Sequence, residues 1–217
     1  MVDELRREFH DRLGSLHSDV AALASEAAAS VFEVTQALLA ADPAMAGRVV
    51  RLGHEAVLRA ASVEREVFDL LARQAPVGRD LRLMLATLRV SHEVELSTQL
   101  AASIADRIGR LDPGVMSGTL RALLGEMGQA SAGLLERSAQ AYAVLDPGLA
   151  TLVVESAGPV RELQRGFLAS LFALRAAPVE SAVELGIVSR CYERIADHAV
   201  EIAERTRFVD DGVVAAP

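Results

Sequence analysis

The sequence predicts an all-α protein: two tandem three-helix bundles related by a pseudo-twofold, six long antiparallel helices in all. Three observations predict it. Turn-forming breakers fall only at wide intervals, apolar residues recur with helical rather than strand-like spacing, and the second half of the chain repeats landmarks of the first. Composition agrees: of 217 residues 51% are apolar and only 4% aromatic, with Ala and Leu dominant, which suits helices packed through small side chains.

The first helix runs up to Asp42-Pro43, the second from there to Ala75-Pro76, and the third to Asp112-Pro113-Gly114. Asp146-Pro147-Gly148 separates the fourth from the fifth, and Ala177-Pro178 the fifth from the sixth. Each segment holds roughly 25 to 35 residues of helical periodicity, and a 30-residue helix is about 45 Å long. Proline presets φ and needs no N–H partner in a first helical turn, so each of these prolines can open a helix. The residue before it is pushed out of the α region and closes the preceding one. Long helices joined by short turns pack antiparallel.

The repeat is legible around the Asp-Pro pairs. Leu39-Ala40-Ala41-Asp42-Pro43-Ala44-Met45-Ala46 corresponds to Ala143-Val144-Leu145-Asp146-Pro147-Gly148-Leu149-Ala150, and Val49-Val50 to Val153-Val154. Pro76-Val77 likewise corresponds to Pro178-Val179. A period of roughly 100 residues is too long for a solenoid unit. It divides the chain into a first three-helix repeat, 1–111, and a second, 112–217.

The formal net charge of −8 excludes a general nucleic-acid binder, which needs a basic face to displace counterions. The single cysteine, Cys191, excludes an intramolecular disulfide and a cysteine-cluster metal site, and its helical position places it among core residues. The chain opens Met1-Val2-Asp3-Glu4 without an early apolar run, and no 18-residue apolar stretch follows, so a cytoplasmic location is expected. No nucleophile elbow, catalytic constellation or Gly-rich phosphate loop is present, so no catalytic residue is assigned.

The most informative stretch is Tyr192-Glu193-Arg194-Ile195-Ala196-Asp197-His198-Ala199-Val200-Glu201. Glu193, Asp197 and Glu201 stand four apart on one helical stripe, while Val188, Cys191, Ile195 and Ile202 fall on the opposite side. Like charges at this spacing repel by a few tenths of a kcal/mol each, so the stripe needs a cation. Arg190, Arg194 and Arg205 supply part of it; a bound metal or a basic partner are the alternatives for the rest.

Along essentially its whole length the chain resembles the PhoU family of phosphate-signalling regulators, accessory proteins of phosphate-specific transport, and most of all its actinobacterial branch. The resemblance rests on Arg7-Glu8-Phe9-His10-Asp11-Arg12-Leu13, on Gln36-Ala37-Leu38-Leu39-Ala40-Ala41-Asp42, on Leu70-Leu71-Ala72-Arg73-Gln74-Ala75-Pro76-Val77-Gly78-Arg79-Asp80-Leu81-Arg82, and on Tyr192-Glu193-Arg194-Ile195-Ala196-Asp197-His198-Ala199. It implies a negative regulator of the phosphate-starvation response and of phosphate uptake. Such a protein is a non-catalytic adaptor between the ATPase subunit of the phosphate ABC transporter and the phosphate sensor histidine kinase. It implies a homodimer that meets the membrane only through those partners. It also implies surface metal sites on a Glu-x-x-x-Asp pair in each repeat, often with Asn four residues later.

Carried over residue by residue, Glu193 and Asp197 match the second-repeat pair and Glu201 replaces the Asn. In the first repeat Glu95 matches, Gln99 stands for the Asp, and Ser103 follows. Hard cations prefer several carboxylate oxygens. The resemblance therefore implies a divalent or trivalent metal (iron, zinc, manganese or magnesium) on Glu193, Asp197 and Glu201, and weak or no binding at Glu95 and Gln99. Around these residues, His198 lies off the acid stripe, able to offer a ligand only from its margin and otherwise structural or solvated. His92 and Glu93 are read as off the face of Glu95, and Asp80 as a first-turn acid favoured by the helix dipole. His10, His17 and His54 are read as isolated and solvated. Two alternatives remain. A structural helical dimerisation module would feel only core substitutions, and a carboxylate-metal bundle enzyme would need acids facing the bundle interior.

Overall fold

A computed structural model describes residues 2–112, 114–116, 118–174 and 178–212. Among them there are seven α-helices and no strand: α1 (Val2–Ala40), α2 (Gly47–Gln74), α3 (Gly78–Ile108), α4 (Gly118–Val144), α5 (Pro147–Glu155), α6 (Gly158–Ala173) and α7 (Val179–Asp211). Pro113 and Ala177, each part of an expected break, lie outside the described residues. The six expected segments are all present, but the fifth is not one helix. Its chain breaks at Ser156 and Ala157, where Ser156 Oγ folds back on the Leu152 carbonyl at 2.5 Å and Pro159 opens the first turn of α6. A proline there has no N–H to continue the ladder. Pro147 does stand in the first turn of α5, whereas Pro43, Pro76 and Pro178 sit just before their helices.

The repeat extends to the turns. At the end of α1, Ala41 N–H donates to the Leu38 carbonyl and Asp42 N–H to the Ala37 carbonyl; at the end of α4, Leu145 and Asp146 do the same to Tyr142 and Ala141. Asp42 Oδ1 then accepts from Ala44 N at 2.9 Å, and Asp146 Oδ1 from Gly148 N at 2.7 Å, each closing the turn with a side-chain cap. Both turns hold a residue in the left-handed region, Ala41 at φ 53° and Leu145 at φ 52°. A Cβ there costs about 1 kcal/mol. Ala41 is exposed, so Ala41→Gly should raise stability by about 0.5–1 kcal/mol in urea unfolding. Leu145→Gly should gain nothing, because the Leu145 side chain packs on the core.

Helices α1, α3, α4 and α7 form the centre, with α2 packed on α3 and the α5–α6 arm on α4 and α7. Helix α1 runs antiparallel to α4: His17 Nε2 lies 2.9 Å from the Tyr142 carbonyl at one end, and Arg121 donates to the Leu39 carbonyl at the other. Helix α3 runs antiparallel to α7, with Glu93 against His198, Arg107 against Glu184, and Arg82 on the Val209 carbonyl. Two buried tyrosines tie the halves together, Tyr192 to Thr35 at 2.9 Å and Tyr142 to Thr87 at 2.7 Å. Burial pushes both phenols far above their ordinary pKa, so they stay protonated and able to donate. A single apolar core runs through both halves, from Phe9 and Val31 in α1 to Ile195 and Ile202 in α7. No helix among the described residues is long and apolar enough to cross a membrane.

Candidate functional site

Helices α3 and α7 carry the acid-bearing positions in equivalent registers. The displacement that takes Glu95 to Glu193 also takes buried Val90, Ser91, Val94, Ser97, Ala101 and Ile104 to buried Val188, Ser189, Tyr192, Ile195, Ala199 and Ile202. Gln99 then answers to Asp197 and Ser103 to Glu201. The Pro-Val landmarks follow a different displacement, because α3 has about one more helical turn than α7 before its acid.

In α7 the apolar side is buried as expected, Cys191 included, and burial pushes the Cys191 thiol pKa up. The three acids are not equally exposed. The side chains of Asp197 and Glu201 are 43% and 48% exposed, but that of Glu193 only 12%. Glu193 is covered by Gln164 of α6, whose Nε2 donates to Oε2 at 3.0 Å, and by Arg190 one turn back, which donates to the same oxygen. Asp197 Oδ1 accepts from Arg161 Nη2 at 2.9 Å, again from α6, and Glu201 Oε2 from Arg205 Nη2 at 2.9 Å. Arg161 is held above its ordinary pKa first by its hydrogen bond to Asp197, with the charges of Asp197 and Glu193 adding. Arg190 and Arg205 fill the roles their spacing suggested. Arg194 is exposed and forms none of these ion pairs. Arg161 and Gln164 were not legible, because they approach from another helix.

In α3, Gln99 Nε2 donates to Glu95 Oε1 at 2.9 Å, and Ser103 Oγ accepts from Arg107 Nη1 at 2.6 Å. His92 does share the face of Glu95, contrary to expectation: it stands three residues back, and its Nδ1 is 3.6 Å from Glu95 Oε2. Both line a groove of about 650 Å³ between α2, α3 and the end of α7, together with Glu64, Arg89 and Arg205. Asp80 does sit in the first turn of α3, and its partner is His10, 3.2 Å away, so His10 is not isolated. His17 is buried against Tyr142 rather than solvated; its rings stack edge-on at 4.6 Å, and burial lowers its pKa. His54 is exposed. His198 is off the acid stripe as expected and takes the structural of its two expected roles: it is buried, with Nδ1 2.6 Å from Glu93 Oε2.

A metal held by these residues needs several carboxylate oxygens converging on one point. Among the described residues no three His, Cys, Asp or Glu side chains do so. Every acid of the α7 stripe already meets a guanidinium, and in α3 the second ligand position is an amide donating to Glu95. The side chains as arranged do not fit a resident metal ion.

Two tandem helical halves, α1–α3 and α4–α7, each presenting an acid-bearing face on its last helix, define the class of protein. The family model described as the PhoU domain matches the chain twice, over residues 20–108 and 124–206. The phosphate-specific transport system accessory protein PhoU homolog 1 of Mycobacterium tuberculosis (strain H37Rv) is 31% identical over 212 residues, covering 97% of this chain and 96% of that protein. PhoU homolog 2 of the same strain is 29% identical over 210 residues, covering 96% and 99%. The crystal structure of PhoU from Pseudomonas aeruginosa superimposes with a TM-score of 0.88 over 94% of this chain and 100% of that one, at 22% identity. The chain belongs to the PhoU family.

Proposed function

We propose that this chain is a non-catalytic accessory protein of phosphate-specific transport that restrains phosphate uptake and the phosphate-starvation response. It does so as an adaptor, touching the ABC transporter ATPase and the sensor histidine kinase from the cytoplasmic side as a homodimer. One observation carries the reading: the family match spans both repeats, and relatives named as accessory proteins of that system align over nearly the whole of both chains. The surface supports contacts better than turnover. The acids of α7 are neutralised by arginines, which leaves ion pairs exposed for exchange with a partner rather than an open ligand set. Rim charges of this kind tune encounter rate and register more than affinity.

The test is a binding titration of the purified chain against the transporter ATPase and against the cytosolic part of the kinase. Saturable binding to at least one is expected, together with derepression of a phosphate-starvation reporter when the gene is deleted. A well-folded chain that binds neither, in a deletion strain whose reporter stays repressed, sinks the reading.

A further inference from the structure

We infer that Arg161, Arg190 and Arg205 are the resident cations of the α7 stripe, and that this chain has exchanged a metal ion for guanidinium groups. The count balances residue by residue. Glu193 meets Arg190, Asp197 meets Arg161 and Glu201 meets Arg205, the last two at 2.9 Å. The partners come from both sides of the stripe, since Arg161 and Gln164 reach over from α6 while Arg190 and Arg205 rise from α7 itself. An incoming divalent ion would have to gather oxygens from at least two of these acids, and so sit beside two guanidinium groups whose charge repels it and has already neutralised those acids. It would also find Glu193 hard to reach, since that side chain is only 12% exposed and its Oε2 is shared between Gln164 and Arg190. Guanidinium is always charged and matches carboxylate geometry, so this neutralisation holds at every pH at which the acids are ionised. The equivalent position in α3 follows the same logic with weaker means: Gln99 in place of an acid removes one charge and donates to Glu95 itself.

The arginines can be removed without dismantling the fold. Arg161 and Arg190 side chains are 63% and 60% exposed, so their removal opens no void in the core, and Gln164 Nε2 still donates to Glu193 when Arg190 is gone. The experiment titrates Zn2+ and Mn2+ calorimetrically into four proteins: the unmodified chain, Arg161→Ala/Arg190→Ala, Glu193→Ala/Asp197→Ala, and the chain carrying all four substitutions. The unmodified chain and Glu193→Ala/Asp197→Ala are expected to give superimposable titrations. Arg161→Ala/Arg190→Ala is expected to gain a one-ion site at least about tenfold tighter, lost again when the acids are also removed. Stoichiometric binding by the unmodified chain that disappears in Glu193→Ala/Asp197→Ala overturns the inference. So does a well-folded Arg161→Ala/Arg190→Ala that gains no site, since the arginines would then not be what holds the ion off.

Discussion

Gly128→Ala is expected to destabilise the protein by about 2–3 kcal/mol, the cost of forcing extra volume into a well-packed core. A Cβ at Gly128 would lie 2.3 Å from Thr35 Oγ1, 2.4 Å from its Cγ2 and 2.9 Å from its Cβ. None of these atoms is free to retreat. Thr35 is fully buried in α1, its hydroxyl donates to the Val31 carbonyl at 2.7 Å, and the same oxygen meets the Tyr192 hydroxyl at 2.9 Å. Tyr192 is itself fully buried, and its backbone carbonyl accepts from Ser131 Oγ of α4 at 2.9 Å. One methyl group therefore presses on the point where α1, α4 and α7 meet. Thermal unfolding should register it as a fall of roughly 4–12 °C, on the scale of a chain this size. Adding Thr35→Ala removes the two closest contacts but leaves the Cβ pair, so the double variant should recover only part of the loss and the two changes should not add. Gly14→Ala, where a new Cβ meets nothing within 4 Å, is the control: it should be neutral or stabilising, because alanine is the better helix former. If Gly128→Ala melts with the unmodified chain, the close approach of α1 and α4 is not what the packing requires.

What the sequence made legible was local chemistry. The Asp42 and Asp146 caps involve neighbours two residues away, and the breaks and the pseudo-repeat follow from them. Glu193 with Arg190 and Glu201 with Arg205 are likewise neighbours within one helical turn. Partners distant in sequence were not legible. Arg161 stands 36 residues from Asp197, and nothing in either stretch says that α6 will lie across α7. His17 looked solitary because its partner, the Tyr142 carbonyl, belongs to the other repeat, 125 residues on. The break at Ser156 is a milder case: Gly158-Pro159 has no counterpart in α2, so a reading guided by the repeat carried one helix straight through it. Internal symmetry predicts what the two halves share and is silent where one of them departs.

Such a departure carries the second large effect. His198→Leu is expected to cost about 3 kcal/mol, the penalty for stranding a buried acid whose partner has gone. His198 Nδ1 lies 2.6 Å from Glu93 Oε2, and the two side chains are 9% and 14% exposed. Among the described residues His198 Nε2 has no hydrogen-bond partner, so there the ring's polar tie is the one to Glu93. The symmetry shows what else this crossing tolerates. The register that takes Glu95 to Glu193 takes Glu93 to Cys191 and Leu100 to His198, so the mate of the pair is uncharged: half-buried Leu100 and buried Cys191. The equivalent positions of α3 and α7 are thus filled without an acid–histidine pair, the Cys191 thiol being hydrogen-bonded to Ser103 instead. Glu93→Leu/His198→Leu should therefore recover most of the stability lost in His198→Leu, because no charge is left unpartnered. Glu93→Leu alone should fall between the two, leaving a buried imidazole without its acceptor but no stranded carboxylate. The order is read from urea midpoints of the three variants at neutral pH. A double variant no more stable than His198→Leu would mean that the pair is held for its shape and packing, and that the uncharged mate is a poor guide to this crossing.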